Sequence, residues 1–242
     1  MLCKNCENLF DGNFCNNCGQ SRHVRKIDSK YILSEIQNTI FQMEKGFFYT
    51  VKELLIRPGH SLRDLLEGKR QPHLKPFAFL LFASTLYALS KYFTESDNIV
   101  DEFIIGLNSD IEGNENDRSP VEFLDWLANN QVYTALILVP FYSMASYLAF
   151  IKSKYNYFEL LTLNFYITGQ QMLIYTLFGL IISVESDLIL IPLVLGFLFN
   201  CWVFHQFFIK YRFITKVLLM FLTYLLFFLQ LIVIIVVVVL PA

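Results

Sequence analysis

The sequence predicts an all-α integral membrane protein, in which about five transmembrane helices follow a small four-cysteine module and a basic amphipathic helical segment. Three observations point there. Hydrophobic residues make up 55% of the 242 residues and charged residues only 17%, against roughly 25% charged in an ordinary soluble domain. One water-soluble core of this size could not hide so much apolar surface, and the mean hydropathy is accordingly positive, at +0.46. The apolar residues gather in five long stretches free of Asp and Glu, and Lys and Arg collect on alternate sides of those stretches.

Residues 1–22 form the first unit. Met1-Leu2-Cys3-Lys4 leads straight into polar sequence, with no apolar run and no cleavage site, so neither a secretory signal nor a lipoprotein cysteine is expected. Cys3 and Cys6 make one C-x2-C pair and Cys15 and Cys18 a second. Such a pair aims two thiolates at one tetrahedral ion from a single tight turn, and two pairs complete a closed site. The segment is too short to fold without a staple, so metal binding would supply most of its folding energy. A structural Zn2+ fits four thiolates with no open position. Two disulfides would need an oxidising compartment, and no thioredoxin-like pattern surrounds the pairs. Gly19 follows the second pair, whereas Glu7 stands where the first would have its glycine. Cys201 lies in an apolar run and reads as a small buried hydrophobe.

Residues 23–76 read as cytosolic basic amphipathic helices. Ile32, Ile36, Ile40, Met43, Phe47, Val51 and Leu54 recur at steps of three or four, a helical stripe bent at Gly46 and ended by Pro58-Gly59. Ser61 to Asp64 resembles a capping box opening a short helix that Gly68 closes. The stripe suits either anionic headgroups or the protein's own helices. Arg22, Arg25, Lys26, Lys69, Arg70 and Lys75 are the expected contacts with anionic lipid. The same charges beside a metal module would also fit nucleic acid, but lipid contact and topology control account for them better, and nucleic acid is not an expected partner.

Residues 77–242 form the membrane unit, with spans expected at 77–93, 132–151, 160–183, 188–209 and 214–240, long enough at about 1.5 Å per residue to cross or nearly cross the hydrocarbon. The segment before the first span holds 12 Lys and Arg. The loop 94–131 holds one, Arg118, against ten acidic residues. Loop 152–159 carries Lys152 and Lys154, loop 184–187 no Lys or Arg but Glu185 and Asp187, and loop 210–213 Lys210 and Arg212. This alternation places the N-terminus in the cytosol and the C-terminus outside, with Lys91 the dissenter. The acidic outer loop reads as solvated sequence and lacks calcium-loop spacing. Trp126 and Tyr133 suit an interfacial belt, and Pro140 should kink the second span.

Amides inside hydrocarbon seek hydrogen bonds. Asn164, Thr168, Gln170 and Gln171 on the third span, and Asn200, His205 and Gln206 on the fourth, form a candidate intramembrane polar cluster. Asn164, Thr168, Gln171 and Tyr175 share one helical face. The two helices are expected to clasp through these groups, with a cavity for a small polar solute as the functional alternative. Cys201 and His205 offer at most half a metal site. No G-x-S-x-G, H-E-x-x-H or phosphate loop is present, so an enzyme is not expected.

The four cysteines with Gly19, and then "GFFYTVKELLIRPGHSLRDLLEGKRQPHLKPFAFLL" with Thr50, Leu54, Arg57-Pro58-Gly59, Gly68, Arg70 and Pro76, resemble a bacterial family of multi-pass membrane proteins of unknown function. Its members pair a zinc-ribbon-like motif with a basic juxtamembrane segment. Gln71-Pro72-His73 departs from the aromatic residue common in the family at that point. The resemblance implies a bacterial cytoplasmic (inner) membrane location and a layout, and no activity. The expectation is a membrane-anchored adaptor or sensor whose ribbon recruits a cytosolic protein partner while the spans anchor it among membrane lipids and support a homo-oligomer. A small-solute transporter or channel is the alternative.

Overall fold

The computed structural model describes residues 1–24, 46–70, 73–94, 126, 130–181 and 191–239. Among them are seven helices and no strand, only two isolated bridges in the cysteine module. The helices are α1 (Phe47–Ile56), α2 (Pro58–Glu67), α3 (Pro76–Thr94), α4 (Gln131–Ala149), α5 (Tyr157–Gly179), α6 (Ile191–Phe207) and α7 (Phe213–Val239). Each of the five apolar stretches read from the sequence falls on one of α3 to α7. Two of these helices, over Val132–Ala149 and Phe213–Ile234, are long and apolar enough to cross a membrane by length and composition, while α6 is shorter. Most of the acidic loop (95–125 and 127–129) and the stripe residues Ile32, Ile36, Ile40 and Met43 lie outside the described residues.

α5 is the central helix. Its Asn156 side chain accepts from the Glu159 amide while Glu159 accepts from the Asn156 amide, a reciprocal cap that satisfies two orphan donors. Nearly every residue from Glu159 to Gln170 is buried, and α3, α4 and α6 all pack on α5. A Cβ at Gly169 would meet Phe79 Cδ1 of α3 at 2.7 Å, so the missing side chain lets these helices touch. α7 packs mainly on α4 and turns Phe221, Phe228 and Val233 outward, an apolar surface with no protein cover.

α1 and α2 differ from the sequence expectation in one respect. Pro58-Gly59 ends the first helix, as expected, and also opens the second. Proline suits a first helical position, where its missing N–H is not needed, and it bars the residue before it from helical geometry. Arg57 alone therefore forms the break, at φ −145° and ψ 58°. Ser61 is correspondingly not a cap. It is buried, and its hydroxyl lies 2.8 Å from His73 Nε2. Gly68 ends α2 at φ 123°, as its spacing implied.

Of the two surfaces offered to the amphipathic stripe, the described part takes the protein's own helices. Leu54, Leu62 and Leu65 join one core with Phe79, Tyr166, Val203, Phe204 and Phe207. The linker into α3 is fixed by polar bonds as well: Leu74 N–H donates to Thr50 Oγ1 at 2.8 Å, and the Tyr166 hydroxyl donates to the Leu74 carbonyl. α2 crosses the end of α6 at Gly59, whose N–H donates to Gln206 Oε1 at 3.1 Å. Arg63, one turn later, donates to the Gln206 and Phe207 carbonyls at 3.0 and 3.4 Å. From the other side Lys216 of α7 donates to the His205 carbonyl at 2.7 Å.

A Cβ at Gly59 would meet the Phe207 backbone nitrogen at 2.5 Å. Gly59→Ala should therefore cost about 1–3 kcal/mol, read as a lowered thermal midpoint of the detergent-solubilised protein. Gly179→Ala, where no atom lies within 4 Å, should show no such loss. Burial holds the His73 ring well down, at about 4 against the ordinary 6.5. The unfolded chain then takes up a proton between these values that the folded chain refuses. Stability should be full above about pH 6.5 and fall towards pH 4 by up to about 3 kcal/mol. His73→Gln should flatten that slope in denaturation measured across the interval.

Candidate metal centre

The two C-x2-C turns are near copies, offset by 12 residues. In the first, Cys3 N–H donates to Asn8 O and Glu7 N–H donates to Cys3 O, both at 3.0 Å. In the second, Cys15 N–H donates to Gln20 O and Gly19 N–H donates to Cys15 O, both at 2.8 Å. The bridges Leu2 to Leu9 and Phe14 to Ser21 obey the same offset. Each turn needs a left-handed residue after its second cysteine. Gly19 supplies it at φ 72°, and Glu7 adopts it at φ 59° despite its Cβ. The glycine missing from the first turn thus costs strain without changing the shape.

The copies face each other across the four sulfurs, which lie within 4.8 Å of one another. Cys3 and Cys18 Sγ are 3.6 Å apart, as are Cys6 and Cys15 Sγ. An ion with bonds of about 2.3 Å to four tetrahedral sulfurs sets them about 3.8 Å apart, so these four thiols fit a metal ion. Cys3 and Cys15 are buried, at 1% and 3% exposure, under Phe10, while Cys6 and Cys18 lie nearer the surface. Burial pushes the Cys18 thiol up to about 11. At Cys15 burial also raises the thiol, but the N–H groups of Cys18 and Asn17 outweigh it and hold it at about 6. Metal binding must displace the protons that remain, and so strengthens with rising pH.

The module rests on α2. Lys4 Cδ and Val24 Cγ1 both stand 3.2 Å from where a Gly68 Cβ would be. Sequence reasoning missed this contact, since nothing in the spacing of Lys4 or Val24 marks it.

The candidate intramembrane polar residues do not gather in one cluster. Gln171 Nε2 donates to the Gly196 carbonyl at 2.8 Å, the expected clasp between the third and fourth apolar helices. Asn164 turns instead to α4, donating to Ser143 and Ser146 Oγ, each at 3.1 Å. Asn200 reaches the Tyr142 and Tyr224 hydroxyls, each at 2.9 Å, on α4 and α7. Gln170 is buried and Thr168 half-buried. Gln206 serves Gly59, and the exposed His205 packs its ring near Phe213. Cys201 and His205 gather no third metal ligand among the described residues.

Of the candidate lipid contacts, Arg22 is exposed and Lys75 half-buried. Lys69 lies 3.8 Å from Asp64, and Arg70 Nε donates to the Leu65 carbonyl at 3.4 Å. Arg25 and Lys26 lie outside the described residues. Arg63 was not singled out by its sequence context, although a cation that caps a distant helix end follows from the general need of terminal carbonyls for donors.

A family model described as a protein of unknown function (DUF3667) matches residues 44–88, a stretch that takes in α1, α2 and the first part of α3. No curated protein and no solved structure matches the chain.

Glu7→Gly should stabilise the metal-loaded module by about 1 kcal/mol, and Gly19→Ala, which meets no atom within 4 Å and so tests backbone geometry alone, should cost a similar amount. Resistance of the full chain to unfolding by a chelator reads both.

Proposed function

We propose that this chain is a multi-pass protein of the bacterial cytoplasmic membrane that acts as an adaptor or sensor, holding a zinc ribbon on the cytosolic face for a soluble protein partner. The ion is Zn2+, whose preference for four thiolates in a closed tetrahedron suits a structural centre. Five spans, an N-terminus inside and a C-terminus outside follow from the alternation of Lys and Arg across the apolar stretches. The outward apolar face of α7 supports contact with lipid, and homo-oligomerisation would use part of the same surface.

The observation that carries the reading is mechanical continuity. The ribbon contacts Gly68 at the end of α2, and α2 is bonded to the end of α6 through Gly59 and Arg63. A module seated in this way reports on, or is positioned by, the membrane helices. The dispersal of the amides into separate interhelical bonds favours a cohesive role for them over a solute path.

Photo-crosslinking from exposed ribbon positions in native membranes tests the proposal. A cytosolic protein should be captured by the wild-type chain and lost from the double variant Cys3→Ser, Cys6→Ser, with membrane insertion unchanged. Equal capture by both chains would refute the adaptor role. Metal-independent solute flux in liposomes containing only the purified protein would replace it with the carrier.

A further inference from the structure

α1 is apolar on two sides. Its inward side carries Phe47, Val51 and Leu54, which belong to the core. Its outward side carries Phe48, Tyr49, Lys52, Leu55 and Ile56, all exposed, with Phe48 at 86% and Ile56 at 59%. These positions follow i, i+1, i+4, i+7 and i+8 and share one helical face. A helix apolar all round is one that is covered all round. α2 has the same length and the opposite habit. It exposes His60 and Glu67 and no large hydrophobic residue. The change falls at Arg57, between the two helices, where charges gather. Arg57 pairs with Glu53 at 2.7 Å and with Asp64 at 3.6 Å, and Lys69 with Asp64 at 3.8 Å.

The level of α1 follows from its contacts with α3. The Phe47 ring lies 5.9 Å from that of Phe79 and 4.7 Å from that of Phe82. Phe82 stands six residues beyond Pro76, the start of α3, about 9 Å along its axis. α1 therefore begins beside the second turn of the first apolar helix. Phe48, edge-on to Phe47 at 5.6 Å, continues the outward surface of the half-buried Phe82. Thr50 has already dropped to the level of Leu74, whose N–H it accepts. We infer that α1 is an interfacial helix, with the face of Phe48, Leu55 and Ile56 sunk in the acyl boundary of the bilayer and the Arg57 break at the water line. Such faces enter about 5–10 Å below the headgroups. The exposed Lys52 can extend its stem towards lipid phosphates, and Tyr49 has the apolar ring and polar tip that suit this level. The inference rests on the proposed membrane reading of α3. Under that reading only a group already in the bilayer reaches Phe48 at its depth, which favours lipid over a soluble protein. It adds that α2, and the ribbon seated on it, stand at the water side of the membrane surface.

The test uses the purified full chain in vesicles of phosphatidylcholine and phosphatidylglycerol, doped with a phospholipid that carries a photoreactive diazirine in its acyl chain. Mass spectrometry should find lipid adducts on Phe48, Leu55 and Ile56 and, as a reference, on Phe221 and Phe228 of α7, with none on His60 or Glu67. A second measurement compares Phe48→Trp, Ile56→Trp and Glu67→Trp, each combined with Trp126→Phe and Trp202→Phe. Brominated acyl chains should extinguish most emission at positions 48 and 56 and spare position 67, and the water-soluble quencher acrylamide should do the reverse. The wild-type adducts decide where a tryptophan variant fails to fold. Adducts on α7 with none on α1 would overturn the inference. In that case acrylamide quenching at position 48 would mark a face open to water, and crosslinks from α1 to α1 a face covered by a second copy. Absence of adducts from both helices would instead sink the membrane reading, and the inference with it.

Discussion

A helix that ends among apolar side chains must give its last carbonyl groups to donors, because water is not there to take them. α6 ends this way. The carbonyls of His205, Gln206 and Phe207 are taken by Lys216 from α7 and by Arg63 from α2, and the negative end of the α6 dipole favours both cations. That demand fixes where α2 lies, and much else follows. Gly59 must lack a side chain for the backbones to close. Leu62 and Leu65 then fall into the core. The Ser61 contact with His73 and the Thr50 bond to Leu74 draw α1 and the linker in behind. The stretch matched by the family model thus includes the clasp that gathers neighbouring ends of several helices.

Within the bundle the same arithmetic applies to side chains. An amide buried without a partner costs more than its bond returns, so an amide N–H is drawn to an oxygen that its helix faces. Asn164 finds two serines, Gln171 a carbonyl exposed by Gly196, and Asn200 two tyrosines. Three amides join α5 or α6 to α4, α6 and α7, and the bundle is cross-tied through them.

Much of this was legible in the sequence and some was not, for reasons that can be named. The five apolar stretches fall on helices because length and composition alone mark them. The cysteine spacing is legible because few arrangements other than a shared ion use paired C-x2-C turns. The partners of Asn164 and Asn200 were not legible. In α4, α5 and α6 the apolar residues are spread almost evenly around the helix, so periodicity carries little record of which face turns inward, and rotation is settled by packing. The start of α2 was placed too late because the dipeptide that stops one helix also begins the next, and Ser61 was misread because a hydroxyl three residues before an acidic residue serves equally well as a cap or as a buried partner. The alternation of Lys and Arg bears on orientation, a matter of how the chain meets a bilayer rather than of how its helices pack.

The seat of Lys4 and Val24 against Gly68 has a consequence for recognition. A domain swinging on a tether loses rotational freedom when a second molecule grips it, and that loss weakens the grip. A domain already propped at one attitude has surrendered the freedom in advance. Exposed Leu2, Leu9 and Phe14 are therefore offered at a fixed bearing relative to α2, and an encounter is governed by the angle of approach as much as by surface chemistry.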